Sequence, residues 1–354
     1  MMKGGNQMKA WALHEVGDLR LDDLPMPEPK QGEVLLRVKA CGICGSDIPR
    51  VFTKGTYHYP TVPGHEFSGE VVGVGEGVDP QLIGKGAAVF PLIPCRDCAS
   101  CEIGQFAQCE HYSYMGSRCD GAFAEYICSP VWNLLLMPEG LSYEEAAMVE
   151  PAAVAVHALR QAGIDIGDRV LIYGAGPIGS MLASWARAWG AGKVLLVDID
   201  EEKLEFARLL GFTDVFNASS GDVLQWVKEV TGRGADVTIE GAGSSVSFEQ
   251  CMHSTRVFGK VVLMGNPAGE MKLSQKAYWE ILRKQLTVIG TWNSYYADFP
   301  KNEWKLVLEA MVAGQLDVKP LITHRIPIEA IYEKLIMMRD RTTFYNKVLY
   351  VNEQ

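Results

Sequence analysis

No cluster of lysines and arginines occurs anywhere in the chain, and 33 basic residues stand against 43 acidic ones, for a formal net charge of −10. Binding to a phosphate backbone by counterion release needs basic residues in excess on one face. Nucleic acid is therefore not an expected partner. An apolar leader core is also missing: Met1–Gln7 is polar and glycine-bearing and runs directly into the strand-like Lys9–Leu13, with Met8 as a second possible start. No secretory signal is expected. The one long uncharged stretch, Val170–Ala186, is broken in its first half by Gly174, Gly176, Pro177 and Gly179. It reads as a buried strand followed by a buried helix, so no membrane span is expected either. Repeats and low-complexity segments are absent.

What is present is ordinary globular composition over 354 residues, a length that favours two domains. Nine cysteines without an export signal point to metal binding or catalysis rather than disulfides. The expected compartment is reducing, the cytoplasm.

From Lys9 to about Val131 short β-type runs (Val34–Ala40, Phe67–Val74, Ala87–Phe90, Ala122–Ile127) alternate with Gly and Pro clusters, which predicts a β-dominated domain. A capping box at Ser142 and Glu145 opens the first helix. From Arg169 onward strands and helices alternate strictly, with strands at 169–173, 193–197, 237–240, 260–264 and 286–290. That alternation predicts an α/β domain with a doubly wound parallel sheet. Helices are expected at 304–313 and from Ile326 to Leu335, and a last strand at 348–351 returns to the first domain. The expected division is 8–157 with 295–354, and 158–294.

Gly174, Gly176 and Gly179 form G-A-G-P-I-G, with Pro177 and Ile178 opening a helix directly after an apolar strand. The first glycine makes the turn, the second admits a pyrophosphate to backbone N–H groups, and the third lets helix and strand pack closely. Asp198 ends the next strand, where an acid hydrogen-bonds ribose hydroxyls and repels a 2′-phosphate. No arginine follows it closely, so NAD is expected over NADP, with Lys203 near the adenosine half.

Cys95, Cys98, Cys101 and Cys109 are spaced C-x2-C-x2-C-x7-C. Four thiolates close a tetrahedral Zn²⁺ without an open position, which predicts a structural zinc. An iron–sulfur centre shares the first two spacings but continues x3-C-P, which this chain does not.

A second set begins at C-G-I-C-G-S-D and ends at P-G-H-E, offering Cys44, His65 and Glu66, with Cys41 a neighbouring thiol. A catalytic zinc takes three protein ligands and keeps one position open. Cys44, His65 and Glu150 are the favoured ligands, with Glu66 as an alternative ligand or a partner of the ligands.

Together, G-I-C-G-S-D, G-H-E-F-S-G, the four-cysteine segment and G-A-G-P-I-G resemble the zinc-dependent medium-chain dehydrogenase/reductase superfamily, over essentially the whole chain from Met8. An acid at Glu150 in place of cysteine resembles its polyol dehydrogenase branch. Further stretches, C-G-S-D-I-P-R, P-L-I-P-C, M-G-S-R-C-D-G-A-F-A-E-Y and I-L-R-K-Q-L-T-V-I-G-T-W, resemble members acting on polyol phosphates. The resemblance implies a GroES-like β domain plus a Rossmann domain, two zincs, NAD, and a homodimer or homotetramer. It further implies oxidation of a secondary hydroxyl of a polyol or polyol phosphate, with Ser46 as proton carrier. The alternatives are a sorbitol-, xylitol- or arabitol-type enzyme and a non-catalytic NAD-binding protein on the same fold. Pro49 stands where many members carry a relay histidine, and Asn293 where sorbitol enzymes carry arginine. If the substrate is phosphorylated, Arg50, Lys54 and Arg118 are candidate cations.

Overall fold

Strand Arg169–Tyr173 is apolar and buried from Val170 on, as a strand covered on both faces must be. It lies in the middle of a six-stranded parallel sheet. In spatial order the strands are Asp214–Asn217, Lys193–Asp198, Arg169–Tyr173, Ala235–Glu240, Thr255–Leu263 and Thr287–Gly290. Successive crossovers step outward on one side of Arg169–Tyr173 and then on the other, so the direction of winding reverses beside this strand. That reversal is where open parallel sheets bind ligands. Helices Pro177–Ala188, Glu201–Leu209, Val223–Thr231, Ser245–Ser254 and Gln275–Lys284 cover the sheet. Four of them start at side-chain caps, Asp200, Asp222, Ser244 and Ser274, each accepting from a backbone N–H of the first turn.

The computed structural model describes residues 7–267 and 269–352; the polar opening Met1–Asn6 lies outside the described residues. The chain divides into two compact units, one of 1–150, 295–314 and 321–354, the other of 151–294 and 315–320. Relative to the expected division, the first boundary falls ahead of 157/158, because helix Val149–Ala162 belongs almost wholly to the second unit, and 315–320 also sorts with that unit.

In the first unit, strand Glu33–Ile43 alternates buried and half-buried residues up to Ala40 and is then buried throughout. It is paired along both edges, by Tyr126–Pro130 and then Lys347–Val351 (Val351 opposite Ala40) on one and by Glu66–Val74 (Gly42 opposite Glu66) on the other. Around it runs a seven-stranded mixed sheet that includes Ile322–Ile326, Gly86–Val89, Leu134–Leu136 and Tyr126–Pro130.

Two expected elements differ. The strand predicted at Ala122–Ile127 becomes regular only at Tyr126, since the N–H groups of Ala122 and Phe123 are spent on Gly64 and Pro63 carbonyls. The helix predicted from Ile326 begins at Ile331. Pro327 keeps the residue before it extended, and Ile322–Ile326 is a strand instead. No helix among the described residues is long and apolar enough to cross a membrane.

Candidate metal and dinucleotide sites

The register Gly42–Glu66 explains the first cluster. A Cβ on Gly42 would fall 2.1 Å from Glu66 Oε2, so only glycine leaves the carboxylate its place over the neighbouring strand. Gly64 has φ +93°, and a Cβ there would meet the Phe123 backbone nitrogen at 2.8 Å. The turn that delivers His65 thus depends on a backbone only glycine adopts without strain. Cys44 follows directly on Ile43, the last residue of its strand. The ligand atoms of Cys44, His65 and Glu66 all lie within 4.8 Å of one another.

Three residues not singled out by sequence reasoning organise this cluster. Asp47, fully buried, accepts a hydrogen bond from the Cys44 N–H (2.9 Å), pairs with the Arg50 guanidinium, and sits 3.5 Å from His65 Nδ1. Burial would push its carboxyl up, but His65 and Arg50 outweigh that and bring it below the usual range. Lys347, also buried, reaches Glu66 Oε2 from the strand on the other side. Burial opposes its charge, yet the carboxylate beside it holds its pKa above the ordinary value. Tyr114 donates its hydroxyl to Glu150 Oε1 at 3.3 Å and packs on the His65 ring with centroids 5.8 Å apart. Asp47 could have been suspected, lying three residues beyond Cys44; nothing local marks Lys347 or Tyr114.

Glu150 is not in the close group, although His65, Glu66 and Lys347 all act on it electrostatically. Burial raises its carboxyl to about 7. His65 Nδ1 is buried without a hydrogen-bond partner. Burial alone would lower this imidazole, but Asp47 and Cys44 hold its pKa well above the ordinary value. A half-buried thiol beside a buried imidazole and two buried carboxyls, one neutralised by Lys347, forms a donor set suited to a divalent cation. Ser46 begins the turn after Cys44 and its hydroxyl makes no capping bond.

The four-cysteine set also assembles. Cys95, Cys98, Cys101 and Cys109 bring their sulfurs within 4.8 Å, and all nine cysteines of the chain are free. The backbone N–H groups of Glu110 and Cys101 lower Cys98 to about 6, whereas burial pushes Cys101 up to about 12. Four thiols this close cannot all ionise without a cation among them, so the donors fit a tetrathiolate metal.

In the second unit Gly174 has φ +106°, and a Cβ on Gly179 would fall 1.8 Å from the Gly174 carbonyl oxygen. Gly176 meets nothing within 4 Å and caps helix Pro177–Ala188, with Pro177 and Ile178 in its first turn. An open backbone at a helix N-terminus suits a phosphate group. Asp198 accepts from the N–H groups of Ala175 (2.8 Å), Ile199 and Asp200, which braces the glycine turn against the next strand. Lys203 Nζ lies 3.8 Å from Asp198. Asn293, with φ +60°, accepts from the Ser294 hydroxyl. Lys54 is exposed.

Arrangement and comparison agree on the class. Residues 30–139 match the alcohol dehydrogenase GroES-like domain and residues 177–312 the zinc-binding dehydrogenase domain. The chain belongs to the zinc-type medium-chain dehydrogenases, a family of oxidoreductases, in the polyol dehydrogenase branch. Within that branch it is similar to galactitol 1-phosphate 5-dehydrogenase of Escherichia coli (strain K12), 36% identical over 97% of this chain and 100% of the relative. Sorbitol dehydrogenase of Bacillus subtilis (strain 168) is 33% identical, with 91% of each chain covered. The crystal structure of galactitol-1-phosphate dehydrogenase from Escherichia coli superposes with a TM-score of 0.91 at 34% identity, covering 98% of this chain and all of that one.

Proposed function

We propose that this chain is a zinc- and NAD-dependent dehydrogenase that oxidises a secondary hydroxyl of a polyol phosphate to the ketose phosphate, in the manner of galactitol 1-phosphate 5-dehydrogenase. The observation that carries it is the Cys44–His65–Glu66 cluster, its imidazole and carboxylate buried, with Glu150 beside it, on a chain that also holds an intact glycine turn and Asp198. A non-phosphorylated polyol is the second reading, favoured by the likeness to sorbitol dehydrogenase.

Cys44, His65 and Glu150 would hold the catalytic ion, because the Glu66 oxygen is already engaged by Lys347 while Glu150 has only a phenol. Glu66 is the alternate ligand. Zn²⁺ held there would supply Lewis-acid charge stabilisation, and NAD held at the glycine turn would supply the hydride acceptor. Ser46, uncommitted to its turn, takes the hydroxyl proton. Pro49 cannot carry it further, so the proton leaves Ser46 by another path. Gly174, Gly176, Pro177, Ile178 and Gly179 receive the pyrophosphate, and Asp198 with Lys203 receives the adenosine ribose. Cys95, Cys98, Cys101 and Cys109 would hold a structural zinc.

A homodimer or homotetramer and a reducing, cytoplasmic setting belong to the same proposal. Nine free cysteines support the second, and the exposed Trp279, Leu282 and Val288 near the free sheet edge support the first. Sedimentation decides the assembly. The activity is tested by NAD reduction with galactitol and galactitol 1-phosphate, with metal content measured on the same sample. Cys44→Ser and His65→Ala are expected to lose more than about a hundredfold in rate while keeping NAD affinity. Full activity in either variant would remove the cluster from the mechanism.

A further inference from the structure

Of the cations suggested by sequence for an anionic substrate, Arg50 is occupied. It pairs with the buried Asp47, which itself steadies Cys44 and His65, and only 14% of its side chain is exposed. Arg118 differs. Its guanidinium carbon sits 4.3 Å from the ring centroids of both Tyr57 and Tyr112, held between two aromatic faces. One N–H reaches the Tyr112 carbonyl and another the Tyr57 hydroxyl, each at 3.3 Å, and the remaining N–H donors have no acceptor among the described residues. Among the described residues no carboxylate pairs with it.

Its placement is tied to the metal cluster. The N–H groups of Ser117, Arg118 and Cys119 all converge on the Tyr114 carbonyl, and Tyr114 is the residue whose hydroxyl meets Glu150 and whose ring meets His65. The same loop presses Gly116 and Gly121 against Gly64, the residue before His65. Tyr112 contacts Tyr114 edge-on, with centroids 6.5 Å apart, so a chain of ring contacts runs from His65 through Tyr114 and Tyr112 to Arg118 and Tyr57. An arginine fixed in this way loses little further freedom on meeting a ligand, and its planar fork matches two oxygens of a phosphate.

We infer that Arg118, clamped by Tyr57 and Tyr112, is the specificity-determining residue for the phosphate end of the substrate. This rests on the polyol dehydrogenase reading above. Steady-state kinetics with galactitol 1-phosphate and galactitol test it in the metal-loaded enzyme, in wild type, Arg118→Met and Arg118→Lys.

Arg118→Met should raise KM for galactitol 1-phosphate roughly 10–100-fold, the range of a lost charge-assisted contact. Its kcat and the constants for galactitol should change little. Arg118→Lys should recover part of the loss, and inorganic phosphate should compete with substrate in wild type but not in Arg118→Met. An unchanged KM for galactitol 1-phosphate in Arg118→Met overturns the assignment alone, as does an equal loss with both substrates. Absence of NAD reduction by wild type with either compound overturns the parent reading and this one with it.

Discussion

Lys347 shows how much a single distant side chain decides. It meets Glu66 across 281 residues, both groups are buried, and Gly42 keeps the space between strands open for the contact. Lys347→Met is expected to strand the carboxylate and cost about 3–5 kcal/mol in denaturant unfolding, the usual result of removing one member of a buried pair. A loss below about 1 kcal/mol would mean that Glu66 finds another partner. Glu150 gives a pH signature. With its carboxyl raised to about 7 from 4.5, its contribution to the metal-free protein is fully present below pH ~4.5 and is lost as pH rises through ~7. His65, raised as well, acts in the same direction, and Asp47, lowered, titrates below this window. Thermal midpoints of chelator-treated protein should therefore fall between pH 5.5 and 8, and less steeply for Glu150→Gln; an identical slope would refute the role of burial at Glu150. Cys44 and His65 were legible because ligand types and glycines lie close together in the chain. Lys347 was not, since an isolated lysine in a strand carries no sign of what it faces.

At the scale of elements, the glycine turn and its helix illustrate a feature the sequence displays fully. An uninterrupted apolar strand, three glycines at fixed spacing and an acid closing the next strand leave few alternatives, and the Asp198 bond to Ala175 adds the brace that spacing alone does not reveal. Gly179→Ala places a Cβ against the Gly174 carbonyl and must push helix Pro177–Ala188 away from the turn. NAD affinity should fall by more than about tenfold in calorimetric titration, with the sheet still folded; tight binding by this variant would show that close approach is not required. Residues 122–125 were misjudged for the opposite reason. Their β-type character is genuine, but the N–H groups of Ala122 and Phe123 serve the Pro63–Gly64 turn, and Ala124 makes only an isolated bridge to Ala10. Backbone pairing with a loop leaves no periodic trace.

For the molecule as a whole, the four-cysteine segment is anchored outside its sulfurs mainly by Arg96 and Phe106 against Trp132. Between the short paired strands Leu92–Ile93 and Ser113–Tyr114 there are only two brief helical turns, and Ile103 is 71% exposed. Where regular structure is this brief, a metal held by the four thiolates, as proposed, would supply much of the folding energy. Stripping the tetrathiolate metal should lower the thermal midpoint and open residues 94–112 to limited proteolysis. Protection that survives complete metal removal would show the segment folds without it. The two-unit plan was legible in outline from the change of rhythm near Asp168, whereas the assignment of 315–320 depends on contacts without a local signature.

Strand Lys347–Val351 follows every other described strand and helix in the chain, and it covers the inner end of Glu33–Ile43 beside the metal cluster. During translation at ~5–20 residues per second, Glu66 is made roughly 15–55 s before its counter-charge exists. Through that interval Cys44 and His65 belong to a sheet with one side open and a carboxylate that must stay hydrated. Final closure of the site thus awaits the emergence of this strand from the ribosome, and on the proposed zinc assignment a nascent chain stalled before residue 347 should hold zinc only in the four-cysteine segment.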